Sequence, residues 1–179
     1  MRVPAPADAL RVARALLMLS QREAAEGAKV MQKSISAAET SKSVLLETNL
    51  NLVDFYSSKG ILFLGAGTVG EEVFRSGARW IGPDAPGDGT VLSMFHGEKN
   101  EVSFRAARAL LNKTQAQVAE AANLTVDVVK GLESEARARG PHQALKEWYQ
   151  HEGVEFTGWG NVSTGKFYGV GVRWMSGRP

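Results

Sequence analysis

A glycine-rich segment is the first feature of the chain that could carry chemistry. The run Gly65-Ala66-Gly67-Thr68-Val69-Gly70 follows an apolar segment at residues 61–64 and has the spacing of the dinucleotide-binding fingerprint. In that fingerprint the glycines let a pyrophosphate approach the backbone at the start of a helix. The rest of the chain lacks the series of strands and crossover helices that such a sheet needs. A hairpin loop explains these glycines more simply, so we expect no cofactor and keep a nucleotide-binding enzyme only as an alternative.

The other reactive side chains do not form a catalytic set. His96, His142 and His151 are isolated and have no metal-ligand spacing, so no metal site is expected. The chain contains no cysteine, which excludes disulfides and thiolate chemistry. No nucleophile with a neighbouring base and orienting group is recognisable. We therefore expect no catalytic residues and no enzymatic activity.

The composition is that of a globular protein. Of the 179 residues, 44% are hydrophobic, which is a usual share for a folded domain. No apolar run approaches 18 residues and the N-terminal segment lacks a signal-peptide core, so we expect no membrane association. Together with the absence of cysteine, these features favour the cytoplasm. The net charge of +2 permits binding to a polyanion but does not require it.

The chain contains one segment twice, and this repeat organises the interpretation. When residues 11–40 are aligned with residues 105–134, 11 of the 30 positions are identical. Chance would give roughly two or three. After a slip of one residue, Tyr56 and Gly60 match Tyr149 and Gly153, and the repeat continues nearly to the end of each copy. The chain therefore consists of two similar units.

Capping signals mark the second helix of each copy. An apolar face with helical spacing comes first, and Ser20 with Glu23 three residues later then forms the pattern of a capping box. Thr114 and Gln117 form the same pattern in the second copy. We predict that these helices begin at about residues 21 and 115.

A tight turn and a third helix follow in each copy. The turn needs one residue at positive φ, which Asn123 tolerates well and Lys29 less readily. Ile35 and Val129 are expected to point inward from the third helices. A fourth helical region is predicted at about residues 48–58 and again at 141–151.

The end of each copy has the pattern of a β-hairpin. Residues 61–64 and 154–157 read as first strands, and residues 78–81 and 170–174 as their partners across a glycine-rich loop.

The repeat and the glycine- and proline-rich segment at residues 82–89 set the predicted domains. Unit 1 comprises residues 1–81 and unit 2 residues 102–179, each with its own trailing hairpin. Residues 82–101 form the linker, in which residues 91–95 read as a short strand.

The helix, turn, helix pattern resembles the lambda-repressor-like (Xre/Cro type) helix-turn-helix family. The pattern joins a capped glutamine, an alanine, an inward-facing Ile or Val and a closing glutamate, and it occurs in register in both copies. Its residues are Ser20, Gln21, Ala24, Ala25, Ile35, Ala38 and Glu39 in copy one, and Thr114, Gln115, Val118, Ala119, Val129, Leu132 and Glu133 in copy two. The resemblance covers about 55 residues of each unit. It implies a mainly α fold with small β additions, made of two tandem helix-turn-helix bundles that each precede a β-hairpin.

The resemblance also implies a set of DNA-binding residues, because the second motif helix of this family enters the major groove. Glutamine can pair with adenine, and lysine can donate to guanine or phosphate. The expected phosphate contacts are Gln21 and Gln115. The other implied residues are Gln32, Lys33, Ser34, Ser36, Ala37 and Lys42 in unit 1, and Val126, Asp127 and Lys130 in unit 2. The family often pairs an arginine of the first helix with the closing glutamate, so Arg14–Glu39 and Arg108–Glu133 are expected as structural ion pairs.

Copy two departs from the reading pattern. The negative charge of Asp127 would be repelled by the DNA phosphates unless the carboxylate accepts a hydrogen bond from cytosine. Val126 offers only contact with a thymine methyl group. Both copies also lack the glycine commonly found in the turn. We therefore expect unit 1 to read DNA more directly and unit 2 to position the protein, pair with its twin or bind something else.

The sequence thus predicts a cytoplasmic transcriptional regulator, with repression favoured, that binds double-stranded DNA and forms a homodimer through the open edges of its hairpins. The alternative is a helix-turn-helix module, antitoxin-like or anti-activator, that binds a protein partner.

Overall fold

The computed structural model describes residues 3–40, 43–66, 73–83, 89–134 and 139–176. Unit 1 consists of helices and then two strands. These elements are α1 (Ala7–Leu16), α2 (Gln21–Ala28), α3 (Gln32–Glu39), α4 (Leu46–Ser58), β1 (Ile61–Ala66) and β2 (Phe74–Trp80).

Unit 2 repeats this order after a structured connection. The connection contains α5 (Gly89–Leu92) and β3 (Gly97–Glu98). The elements of unit 2 are α6 (Phe104–Leu110), α7 (Gln115–Ala121), α8 (Val126–Glu133), α9 (Arg139–His151), β4 (Val154–Asn161) and β5 (Lys166–Trp174). The strand expected at residues 91–95 is wrong, because a short apolar run does not distinguish a strand from a helical turn.

Local sequence accounts for the starts of α2 and α7. The Ser20 hydroxyl accepts from the Glu23 N–H at 3.2 Å, and the Glu23 carboxylate accepts from the Ser20 N–H at 2.8 Å. Thr114 and Gln117 repeat both hydrogen bonds at 3.2 and 2.8 Å. Both predicted capping boxes are confirmed, and each satisfies N–H groups that the helix itself leaves without partners.

The turns after α2 and α7 use the left-handed backbone conformation. Lys29 has φ 56° and Asn123 has φ 55°, as predicted for these two positions. Asparagine reaches this region more easily than lysine, so the turn of unit 1 holds more backbone strain.

The expected fold class, mainly α with a separate small hairpin after each bundle, is wrong. The five strands β1 to β5 form one antiparallel sheet, and about 49% of the described residues are in helices and 21% in strands, so the protein has a mixed α/β fold. The two hairpins join where β2 pairs with β5. β1 continues the sheet beyond β2, while β3 and β4 both pair with β5. The hairpins join because each open strand edge needs hydrogen-bond partners, and the other unit supplies them.

The two units share one hydrophobic core. α1 packs against both α6 and β2, and α6 packs against β5. Buried residues of unit 1, such as Leu10 and Ile35, belong to the same cluster as Leu110 and Val129 of unit 2. A shared core suits units of this size, because a domain of about 75 residues buries only a modest fraction of its surface alone.

Candidate nucleic-acid interface

The motif of unit 1 presents a polar helix surface. On α3, the side chains of Gln32, Lys33 and Ser36 are exposed, and those of Ser34 and Ala37 are half-buried. The opposite side of the helix is anchored by the buried residues Ile35, Ala38 and Glu39. The amphipathic pattern therefore directs the expected reading residues outward. Lys42 lies outside the described residues.

The motif of unit 2 has the same architecture with different surface chemistry. On α8, Asp127 and Lys130 are exposed and Val126 is half-buried. Val129 and Leu132 fill the core side, where unit 1 has Ile35 and an alanine. The backbone arrangement is thus repeated. The exposed side chains change from polar and basic ones on α3 to one acidic and one basic side chain on α8.

A buried glutamate joins the helices of unit 1. Glu39, which is 3% exposed, accepts from Arg14 Nε at 2.6 Å and from Arg14 Nη2 at 2.8 Å. Gln21 Nε2 donates to the same carboxylate at 3.0 Å. This hydrogen bonding raises the pKa of Arg14 above its ordinary value, because the carboxylate stabilises the charged guanidinium. One carboxylate therefore holds the end of α3 to both α1 and the start of α2. We call Glu39, Arg14 and Gln21 the clamp of unit 1.

Unit 2 contains the same clamp at equivalent residues. Glu133 accepts from Arg108 Nε at 2.5 Å, from Arg108 Nη2 at 3.1 Å and from Gln115 Nε2 at 2.8 Å. The bidentate arginine–carboxylate geometry is the strong form of this interaction and fixes direction as well as distance. Both expected ion pairs are present in the structure.

The role of the two glutamines was missed at the sequence level. Gln21 and Gln115 are half-buried, and each side-chain amide donates to the clamp glutamate. The signal was available, because the arginine, the glutamine and the glutamate are all identical between the aligned copies. Contact of Gln21 and Gln115 with a DNA phosphate stays a prediction, while in the structure their amides hold the glutamates of α3 and α8.

A buried tyrosine lies below each clamp. Tyr56 and Tyr149 are fully buried, and their hydroxyls have no hydrogen-bond partner among the described residues. Burial raises the pKa of both hydroxyls, and the negative charges of Glu39 and Glu133 raise them further. Both tyrosines are therefore neutral at physiological pH.

The two motif surfaces differ in charge. The exposed charged side chains of α2, α3 and their turn in unit 1 are Arg22, Glu23, Glu26, Lys29 and Lys33. The equivalent set in unit 2 is Glu120, Asp127 and Lys130. Cations are thus in excess by one in unit 1, and anions are in excess by one in unit 2. The first surface is therefore electrostatically more favourable for a polyanion than the second.

The glycine-rich fingerprint adds little to this picture. Gly65 and Ala66 lie at the end of β1, and residues 67–70 are outside the described residues. Among the described side chains, no group of three His, Asp or Glu residues is arranged to hold a metal ion.

Comparisons of the chain with protein families, with curated proteins and with solved structures find no match. Within the described part of the chain, no helix has the length and hydropathy required to cross a membrane.

Proposed function

We propose that the protein is a regulator of the lambda-repressor-like helix-turn-helix class. It binds DNA most directly through α2 and α3 of unit 1. The observation that carries this proposal is the outward polar surface of α3. Gln32, Lys33 and Ser36 are exposed there, while the clamp at Glu39 holds the helix rigidly against its bundle. A fixed helix with exposed polar residues at its start is suited to reading base edges in the major groove.

The neighbouring groups are suited to binding the DNA backbone. The capping box occupies the Glu23 N–H but not the N–H groups of Gln21 and Arg22, which together with the positive end of the helix dipole attract a phosphate. Lys29 and Lys33 add exposed cations on the same motif. Such contacts set register, and the side chains of α3 supply sequence preference.

In this proposal unit 2 positions the protein more than it reads sequence. Asp127 stands where unit 1 has Lys33, so a phosphate close to this site would be repelled. The preferred DNA site is then asymmetric. The protein would regulate transcription in the cytoplasm by binding alone, without chemistry on a substrate. Once bound at its DNA site, it would block a promoter or recruit another factor.

A selection from random duplex DNA followed by fluorescence anisotropy tests the proposal. We expect an enriched sequence that binds below 1 µM at physiological salt and at least ~10³-fold tighter than scrambled DNA. The double variant Gln32→Ala with Lys33→Ala should lose this preference. Lys166→Ala, which removes one exposed cation from β5, should keep it. A selection that enriches no sequence would contradict the proposal.

A protein-binding module is the second candidate, and the surface of α8 favours it. Exposed Asp127 lies beside the half-buried Val126 and Val128, a mixture typical of protein contacts rather than phosphate contacts. In that case Gln32→Ala with Lys33→Ala should leave the principal partner bound, and Asp127→Lys should release it.

We also propose a homodimer formed by the outer strands of the sheet. β2 and β5 already pair with each other within the chain, whereas β1, β3 and β4 each pair with a single strand among the described residues and keep an outer edge. Light scattering after size exclusion distinguishes the 19.3 kDa monomer from a dimer of twice that mass.

A further inference from the structure

Arg11 links the two units at the centre of the protein. Its Nε donates to the Ala109 carbonyl at 2.9 Å and its Nη2 to the Leu110 carbonyl at 3.2 Å, both at the C-terminal end of α6. Its Nη1 donates to the carbonyl of Glu39, the last residue of α3, at 2.5 Å. One guanidinium from α1 therefore ties the C-terminal end of α3 in unit 1 to the C-terminal end of α6 in unit 2.

The environment of Arg11 makes these bonds directional and hard to replace. Helix C-termini present unpaired carbonyls and a partial negative charge, which a cation satisfies. Burial lowers the pKa of Arg11, so part of its hydration has been exchanged for these carbonyls. The planar guanidinium supplies several donors at fixed angles, whereas a lysine supplies a single point charge.

The same end of α3 is also held from its own unit. The Glu39 side chain binds Arg14 while its backbone carbonyl binds Arg11. A shift of α3 relative to unit 2 would therefore break the Arg11 bonds or separate Glu39 from the clamp.

The repeat provides an internal reference for this role. Arg105 occupies the position equivalent to Arg11 and lines a small cleft of about 90 Å³ with Leu16 and Glu133. For Arg105 the structure gives no corresponding hydrogen bonds within the described part of the chain. Of these two equivalent arginines, Arg11 alone makes the link among the described residues. Substitution of Arg105 is therefore a matched control.

We propose that Arg11 is a positioning residue that sets the separation and angle between α3 and α8, and thereby the spacing of the two DNA half-sites. The spacing part, which concerns the DNA half-sites, rests on the proposed function. The geometric part, which concerns the separation and angle between α3 and α8, does not. On B-form DNA, inserting two base pairs rotates one half-site by about 70° and moves it by about 7 Å, so a rigid link makes binding sensitive to spacing.

The geometric part is tested without DNA. The chain has no cysteine, so Ser36→Cys with Lys130→Cys introduces two spin labels at equivalent exposed positions of α3 and α8. We expect a narrow distance distribution in the parent, a broader or shifted one in Arg11→Met, and an unchanged one in Arg105→Met. Arg11→Lys, which keeps the charge and is the safer variant for folding, should broaden the distribution by a smaller amount. A narrow, unshifted distribution in folded Arg11→Lys and Arg11→Met would overturn the proposal.

The spacing part is tested with the selected DNA site and versions carrying two inserted base pairs, using the chain without labels. The parent and Arg105→Met should lose at least ~10-fold in affinity on insertion, and Arg11→Met should lose less than ~3-fold. An equal loss in all three proteins would overturn the assignment of spacing to Arg11. If the parent binds no DNA specifically, the proposed function fails, and the label distances still decide whether Arg11 positions the helices.

Discussion

Ala78 and Val172 lie opposite each other in the sheet, and they are equivalent positions of the two copies. On either side of them, Gly77 faces Arg173 and Arg79 faces Gly171, and these pairs exchange when one copy is placed on the other. An approximate two-fold axis therefore passes between Ala78 and Val172. The single chain is built like a dimer whose halves share a sheet and a pair of central helices.

The glycines beside this axis should be difficult to replace. A Cβ on Gly171 would lie 2.3 Å from the Ala78 carbonyl oxygen, so Gly171→Ala forces β2 and β5 apart. We expect a loss of about 1–3 kcal/mol in the free energy of unfolding, measured by urea denaturation. Gly140→Ala is the control, because its Cβ would meet nothing within 4 Å and alanine favours the helix by up to about 1 kcal/mol. An unchanged stability in Gly171→Ala would contradict the close strand approach.

The clamp glutamate should contribute more to stability than a surface ion pair. Glu39→Gln removes the charge that faces Arg14, and we expect a loss of about 2–4 kcal/mol. The loss is smaller than for a fully enclosed pair because the Arg14 side chain is 23% exposed. Glu26→Gln breaks a pair whose side chains are 81% and 67% exposed, and should cost under about 1 kcal/mol. Equal losses in both variants, compared by urea denaturation, would show that the clamp contributes no more to stability than the exposed ion pair.

The buried tyrosine hydroxyls should be dispensable. Tyr56→Phe removes a hydroxyl that has no partner among the described residues, so stability should stay unchanged or rise by about 1 kcal/mol. Tyr149→Phe should behave in the same way. Tyr56→Ala removes the ring and should cost about 3 kcal/mol or more. A marked loss in calorimetric stability of either phenylalanine variant would reveal a partner such as a buried water.

An inter-unit ion cluster should make stability depend on acid pH. The Glu155 carboxylate accepts from Arg173 Nη2 and from Arg75 Nη2, each at 2.5 Å. The hydrogen bond from Arg173 is the largest cause of the lowered pKa of Glu155, whose ordinary value is 4.5. Since the pKa is lowered in the folded state, the stabilisation is present above about pH 4.5 and is lost as the pH falls through the folded value.

Glu155→Gln tests this dependence by urea denaturation at several pH values. At pH 7 the variant should be less stable by about 1 kcal/mol, because the cluster is partly exposed. The difference between variant and parent should shrink as the pH falls below about 4.5. A difference that stays constant through the acid range would exclude a contribution from ionised Glu155.

The charge difference between the motifs predicts a gain of DNA affinity. Asp127→Lys gives unit 2 the residue that unit 1 has at the equivalent position. If unit 2 contacts DNA, affinity should rise and the slope of its logarithm against the logarithm of salt concentration should steepen by about one unit. Glu147→Lys makes the same charge change on α9, outside the motif helices, and should alter the slope less. Equal effects in anisotropy titrations would indicate a response to net charge alone.

Features that depend on neighbouring residues could be predicted from the amino-acid sequence. The capping boxes at Ser20 and Thr114 and the left-handed residues Lys29 and Asn123 follow from side chains within a few positions along the chain. The internal repeat was equally visible, since it requires only comparison of the chain with itself. The interpretation as a DNA-binding motif remains a prediction.

How the two copies combine depends on contacts between residues that are distant along the chain. The alternating pattern of a hairpin fits a separate hairpin and a shared sheet equally well, because strand pairing depends on which edge comes close in space. For that reason the joining of β2 to β5 was not predicted. The Arg11 link to α6 was unforeseen for the same reason, because its partners are backbone carbonyls, which carry no sequence signature. The contacts between the copies, and with them the mixed α/β fold, arise from the burial of two incomplete cores against each other.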